Sequence, residues 1–121
     1  MAGLACGEAS PLAWKILERC IDHFMVIDDA DAIDAMKALA QGIGDDVPVV
    51  AGESGAAGFA GLAVLMRDRE LARKVSLDTG ARVLVINTEG ATAPSVYARL
   101  VGESAESVSK RQCDWLQRVA G

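Results

Sequence analysis

A chain of 121 residues has room for one compact domain. Twelve basic and 17 acidic residues give a net charge of −5 with no basic stripe, so nucleic acid and anionic membranes are poor partners. Hydrophobic residues make up 51% but aromatics only 4%, so the core must come from Ala, Val, Leu and Ile, which suits helices lying close on a sheet.

Residues 1–10 read as a loop rich in small side chains. Ser10 followed by Pro11 is a helix start, a cap and then proline at the first helical position. Leu12, Ile16, Leu17 and Cys20 recur at helical spacing up to about Asp22. Residues 24–27 are a short apolar run and read as a buried strand. Asp28 or Asp29 caps the next helix, where Ala30, Ile33, Met36, Lys37 and Ala40 keep the period until Gly42 and Gly44 stop it. Residues 47–51 form the next strand, and residues 52–58 turn it into a helix that runs to about Arg69. A polar helix end and connector occupy residues 70–80. Residues 82–87 are the clearest strand, followed by a turn over 88–92. Pro94 opens a helix to about Val101, and residues 103–118 form a last one.

The order is helix, strand, helix, strand, helix, strand, helix, helix. Such alternation predicts an α/β fold, a three-layer open parallel sheet flanked by helices and joined by right-handed crossovers, in a single domain over 1–121. Three short strands leave two exposed edges, which points to an incomplete fold. The longest apolar stretch, residues 59–66, is too short to span a bilayer. The first six residues lack the basic start and long apolar run of a signal peptide. Cys6, Cys20 and Cys113 have no C-x-x-C spacing and fit free thiols in a reducing cytoplasm. His23, the one histidine, stands far from any thiol pair, so no zinc site is expected.

Three segments could carry chemistry. Residues 52–61 place glycines at 52, 55, 58 and 61 across a strand-to-helix turn, where ligands of open α/β sheets bind. This is neither the dinucleotide fingerprint nor a Walker loop, and Glu53 would repel a phosphate. The glycines and Ala57 and Ala60 can simply let the helix approach the sheet closely, while Glu53 and Ser54 face a ligand; the two readings are compatible. The turn Asn87-Thr88-Glu89-Gly90 ends the best strand with a hydroxyl and a carboxylate, although such residues are also ordinary turn formers. The loop over residues 3–8 contains Cys6, for which a buried or incidental thiol is the simpler reading. His23 reads as a solvent-facing or capping residue, and the pairs 28–29 and 45–46 as a cap and a solvated loop.

Together, MAGLACGEASPLAWKIL (residues 1–17), VVAGESGAAGFAGL (49–62) and VLVINTEGAT (83–92) resemble the C-terminal portion of diaminopropionate ammonia-lyase. That family is tryptophan-synthase-like and of fold type II, with pyridoxal 5'-phosphate as cofactor. The resemblance implies that the Thr88 hydroxyl bonds the pyridine nitrogen, that Glu53, Ser54 and Asn87 lie beside the cofactor, and that Gly3, Leu4, Ala5 and Cys6 line the substrate cleft. A hydroxyl at that nitrogen leaves it largely unprotonated, a weaker electron sink that suits α,β-elimination. The implied reaction converts 2,3-diaminopropionate to pyruvate and ammonia in amino-acid catabolism.

The resemblance also implies a deficit. The family's Schiff-base lysine, its phosphate loop and its acidic base belong to the N-terminal part, and none of Lys15, Lys37, Lys74 and Lys110 matches the lysine motif. The expectation is a cytoplasmic fragment, inactive alone, whose partners are the N-terminal part of the same enzyme, a small amino acid and further copies in a dimer. The alternative is a non-catalytic α/β binding or assembly module that lost the catalytic half. A nucleotide-binding domain is opposed by Glu53 and the glycine spacing.

Overall fold

The computed structural model describes residues 1–5 and 7–121, with Ala2 described by its backbone alone. A 3-10 turn, Ala2–Leu4, precedes six helices: α1 Pro11–Cys20, α2 Asp29–Gln41, α3 Glu53–Arg67, α4 Arg69–Lys74, α5 Pro94–Val101 and α6 Ala105–Ala120. Their starts follow the sequence signals. The Ser10 hydroxyl accepts the Ala13 N–H at 3.3 Å before Pro11. Asp28 precedes α2, and its own N–H is taken by Asp31 Oδ2 at 3.3 Å. Ser104 caps α6 by accepting the Ser107 N–H. Left-handed Gly102 ends α5 at φ 93°, a conformation that glycine alone adopts without strain.

Helices α2, α3 and α5 enclose the core. Ala35 and Met36 of α2 meet Ala56 and Ala60 of α3, with Ala51 and Tyr97 completing the cluster. Alanine dominates because small side chains let helix axes approach closely, as the composition requires. Met36, 1% exposed, fills the space that the alanines leave. Burying such a side chain is worth about 1.5–3 kcal/mol. Helix α6 docks through the fully buried Val108 and through polar groups. Arg111 donates to Ala40 O at 2.8 Å and Gln41 O at 3.4 Å, satisfying carbonyls at the end of α2, and pairs with Glu103. Trp115 Nε1 donates to Asp45 O at 2.7 Å.

The expected parallel sheet is the main correction. No strand is formed among the described residues. Residues 24–26, expected to be buried, are open: Val26 is 95% exposed, and Phe24 and Met25 are also exposed, while Ile27 packs half-buried against the core. In residues 82–87, Leu84 is 86% exposed. A strand is defined by backbone bonds to a neighbour, and these two runs have none alongside. Between the predicted strand segments, Asn87 Nδ2 reaches Val50 O at 2.9 Å, and just beyond their ends Gly52 N donates to Glu89 O at 2.8 Å. Two helix bounds also shift. Helix α1 stops at Cys20, and the helix expected to reach Arg69 ends at Arg67, where Asp68 starts the separate α4 by accepting the Glu70 and Leu71 N–H groups.

Candidate functional site

Helix α3 opens on an unmet demand. Its cap residue, Gly52, has no side chain to accept the N–H groups of the first turn. The acceptor arrives from 35 residues away: Glu89 Oε2 takes the Ser54 N–H at 2.9 Å. The other carboxylate oxygen, Oε1, accepts the Thr92 hydroxyl at 2.5 Å. The Glu89 N–H donates to Asn87 Oδ1 at 3.3 Å. Every polar group of Glu89 is therefore used.

The glycines at 52 and 55 make this approach possible. A Cβ on Gly52 would strike Gly90 O and the Glu89 side chain, and one on Gly55 would strike Asn87 Oδ1 and Glu89 O. Farther along α3 a Cβ on Gly58 would lie 3.2 Å from Val85 Cγ1, and one on Gly61 would lie 3.5 Å from Met25 Sδ. The glycine period thus lays residues 85–90 and Met25 against one face of α3, the close packing foreseen for it.

The first turn of α3 also holds the start of the chain. Glu53 Oε2 accepts the Gly3 N–H at 2.5 Å, and the Ser54 hydroxyl donates to Gly3 O at 2.9 Å. The three segments singled out in the sequence (3–8, 52–61 and 87–90) meet here. Beside them is a pocket of about 110 Å³, lined by Gly3, Met36, Gly52, Glu53, Glu89 and Tyr97 among others. Of the sequence-predicted residues, Gly3 and Glu53 line it. Ser54 and Asn87 brace the backbone around it, Thr88 is exposed next to Glu89, Leu4 and Ala5 are exposed, and Cys6 lies outside the described residues.

Electrostatically the pocket is one-sided. The Thr92 hydroxyl and then the Ser54 N–H hold the Glu89 carboxyl below its ordinary value. Tyr97 is pushed up, first by burial and then by the charge of Glu103, with Arg111 opposing; its hydroxyl has no partner among the described residues. Two carboxylates line the pocket and neither a lysine nor an arginine does. His23, read as solvent-facing, is exposed.

A family model described as "Pyridoxal-phosphate dependent enzyme" matches residues 1–89. The chain belongs to that family. Diaminopropionate ammonia-lyase of Escherichia coli (strain K12) is 40% identical over 112 residues, covering 90% of this chain and 28% of the relative. The enzyme of the same name from Salmonella typhimurium is 41% identical over 111 residues, covering 87% and 28%. Among solved structures, the Escherichia coli enzyme in complex with D-serine superposes with a TM-score of 0.75 at 42% identity, covering 84% of this chain and 27% of that one. The same enzyme with an aminoacrylate-PLP azomethine reaction intermediate gives 0.76 at 41% identity. The chain spans less than a third of the length of these relatives.

Pyridoxal phosphate is thus the cofactor of the parent enzyme. The pocket tests which side of it this chain can hold. A volume of about 110 Å³ is well below the roughly 300 Å³ of a small-ligand site. Two carboxylates without a cation cannot neutralise a phosphate. All four lysines, Lys15, Lys37, Lys74 and Lys110, are exposed on helices outside the pocket. The residues lining the pocket fit an uncharged ring edge and offer nothing to the anionic or the lysine-linked end.

Glu89 is the residue that sequence reasoning undervalued. The turn sequence marks its carboxylate as one that can touch a bound molecule, without assigning it a role at the start of α3. The signal was available: a helix beginning after Gly52 needs an acceptor from elsewhere, and the other strand-end turn carries one.

Proposed function

We propose that this chain is the C-terminal part of a pyridoxal-phosphate-dependent ammonia-lyase that acts by α,β-elimination on 2,3-diaminopropionate, giving pyruvate and ammonia. The observation that carries the reading is the convergence of the three family-like segments on one pocket rim that offers no lysine and no phosphate anchor. Bound cofactor supplies an electron sink for breaking the bond to the departing amine. The chain's own residues form a wall. Glu53 lies at the pocket with its carboxylate fixed by Gly3, Ser54 ties the start of the chain to α3, and Asn87 holds the turn whose exposed Thr88 hydroxyl would meet the pyridine nitrogen. Gly3, Leu4 and Ala5 would border the substrate cleft. Lysine, phosphate loop and acidic base come from the N-terminal part, so the isolated chain is inactive.

The exposed apolar runs at 24–27 and 82–87 support the same reading, because the rest of a fold type II enzyme laid beside them would complete the parallel sheet. A cytoplasmic setting is consistent with Cys20 and Cys113, both free. The second reading, a non-catalytic assembly module, rests on the same exposed faces. A chimera distinguishes them: this chain replaces the matching C-terminal stretch of the Escherichia coli enzyme, and pyruvate formation from 2,3-diaminopropionate is measured. The chimera is expected to bind cofactor and turn over, with Thr88→Val weakening both. A folded chimera that fails to hold pyridoxal phosphate would sink the proposal in favour of the module.

A further inference from the structure

We propose that Glu89 is a positioning residue: its carboxylate, locked by Thr92, fixes the first turn of α3 and through Ser54 sets the position of the Gly3 segment. Four contacts make the relay. Thr92 Oγ1 donates to Glu89 Oε1, and Ser54 N donates to Glu89 Oε2. Ser54 Oγ then donates to Gly3 O at 2.9 Å, and Glu53 Oε2, one residue earlier on the same turn, receives Gly3 N. Ser54 is the pivot: its backbone is held by Glu89 while its side chain holds Gly3.

One side chain accepts two hydrogen bonds on two oxygens that diverge toward different elements. A glutamine could imitate this, its oxygen accepting the Ser54 N–H while its NH₂ group donates to a turned Thr92 hydroxyl, whereas an alanine leaves both donors without a partner. No neighbouring helix cap can substitute, because the cap residue Gly52 has no side chain and must stay glycine for Glu89 to approach. Since both oxygens are occupied, Glu89 serves geometry rather than proton transfer. Its bearing on the cofactor wall rests on the function proposed above; the relay itself does not.

The test uses the full 121-residue chain, uniformly ¹⁵N-labelled, with amide resonances followed against pH. Glu53 and Tyr97 are the other titratable groups lining the same pocket, so the readout is tied to the Ser54 amide, which Glu89 itself receives. In the natural sequence the Ser54 amide should titrate with a midpoint below the ordinary 4.5 of a glutamate. Thr92→Val should raise that midpoint toward 4.5 with the fold intact, an effect that a purely structural role does not produce. Glu89→Ala should remove the pH response that Glu89 confers on the Ser54 amide and move both the Ser54 and the Gly3 amide resonances toward their unstructured positions. Ser54→Ala should move Gly3 alone and leave the amide of residue 54 titrating. If Glu89→Ala leaves Gly3 in place, the relay is wrong. Should Glu89→Ala unfold, Thr92→Val decides, and an unmoved midpoint overturns the proposal. Cofactor retention by the chimera is scored separately, so an intact relay with no cofactor contradicts the function and not the relay.

Discussion

The two flanks of α3 are built differently. On one side, α2, α5 and the turn at residues 87–92 close over its N-terminus with an alanine-rich core and a dense set of hydrogen bonds. On the other, the runs at 24–27 and 82–87 leave Phe24, Val26, Leu84 and Ile86 open to solvent, as the separate helix α1 leaves Leu12 and Ile16. Their nearest approach to order is a tilted pairing of Trp14 and Phe24 with ring centroids 6.2 Å apart. The first flank carries its own reasons to fold. The second is apolar without a partner, the condition of a surface that expects more protein.

Core substitutions should separate the flanks most strongly. Met36→Ala empties a fully buried position and should cost about 2–5 kcal/mol in denaturant unfolding, whereas Leu12→Ala on exposed α1 should stay within about 0.5 kcal/mol. Equal effects would mean that α1 is packed after all. Glycines on α3 give the next contrast. Gly55→Ala drives a Cβ into Asn87 and Glu89 and should cost about 1–3 kcal/mol. Gly61→Ala meets only Met25 Sδ at 3.5 Å and should be neutral or stabilising by up to about 1 kcal/mol.

Acid sharpens the comparison. The folded Glu89 has a lowered pKa, so its contribution is fully present above its unfolded value and is lost as pH falls through the folded one. Stability followed below pH 4.5 should therefore drop less in Thr92→Val than in the natural sequence. The smallest effect is at Tyr97: removing its unpartnered buried hydroxyl in Tyr97→Phe should be neutral or stabilising by about 1 kcal/mol, read as a shift in Tm. On the open flank, Leu84→Lys or Val26→Lys should lower any self-association seen by light scattering, since both side chains project into solvent.

Helix starts were legible in the sequence because a cap is a local device. Ser10, Asp28 and Pro94 needed only their own neighbours to act. Strands were not legible in the same way. The apolar runs at 24–27 and 82–87 are correct in composition, but a ladder depends on backbone bonds to a neighbouring segment, and among the described residues only a side-chain bond from Asn87 to Val50 and the Gly52–Glu89 contact bridge the predicted strands. The site was half visible. Glu53 and Ser54 announced themselves at a strand-to-helix turn, while Glu89 acts across 35 residues, a distance at which spacing carries no signal. Its role becomes readable only by asking which group satisfies the first turn of a helix capped by glycine.

The central claim is that this chain forms the pyridine side of a cofactor pocket and lacks the lysine. Sodium borohydride fixes the cofactor to the lysine that holds it, and peptide mass spectrometry then locates that lysine in the active chimera. The account predicts a single modified lysine in the part upstream of this chain, with Lys15, Lys37, Lys74 and Lys110 unmodified. Stoichiometric modification at any of those four would contradict it.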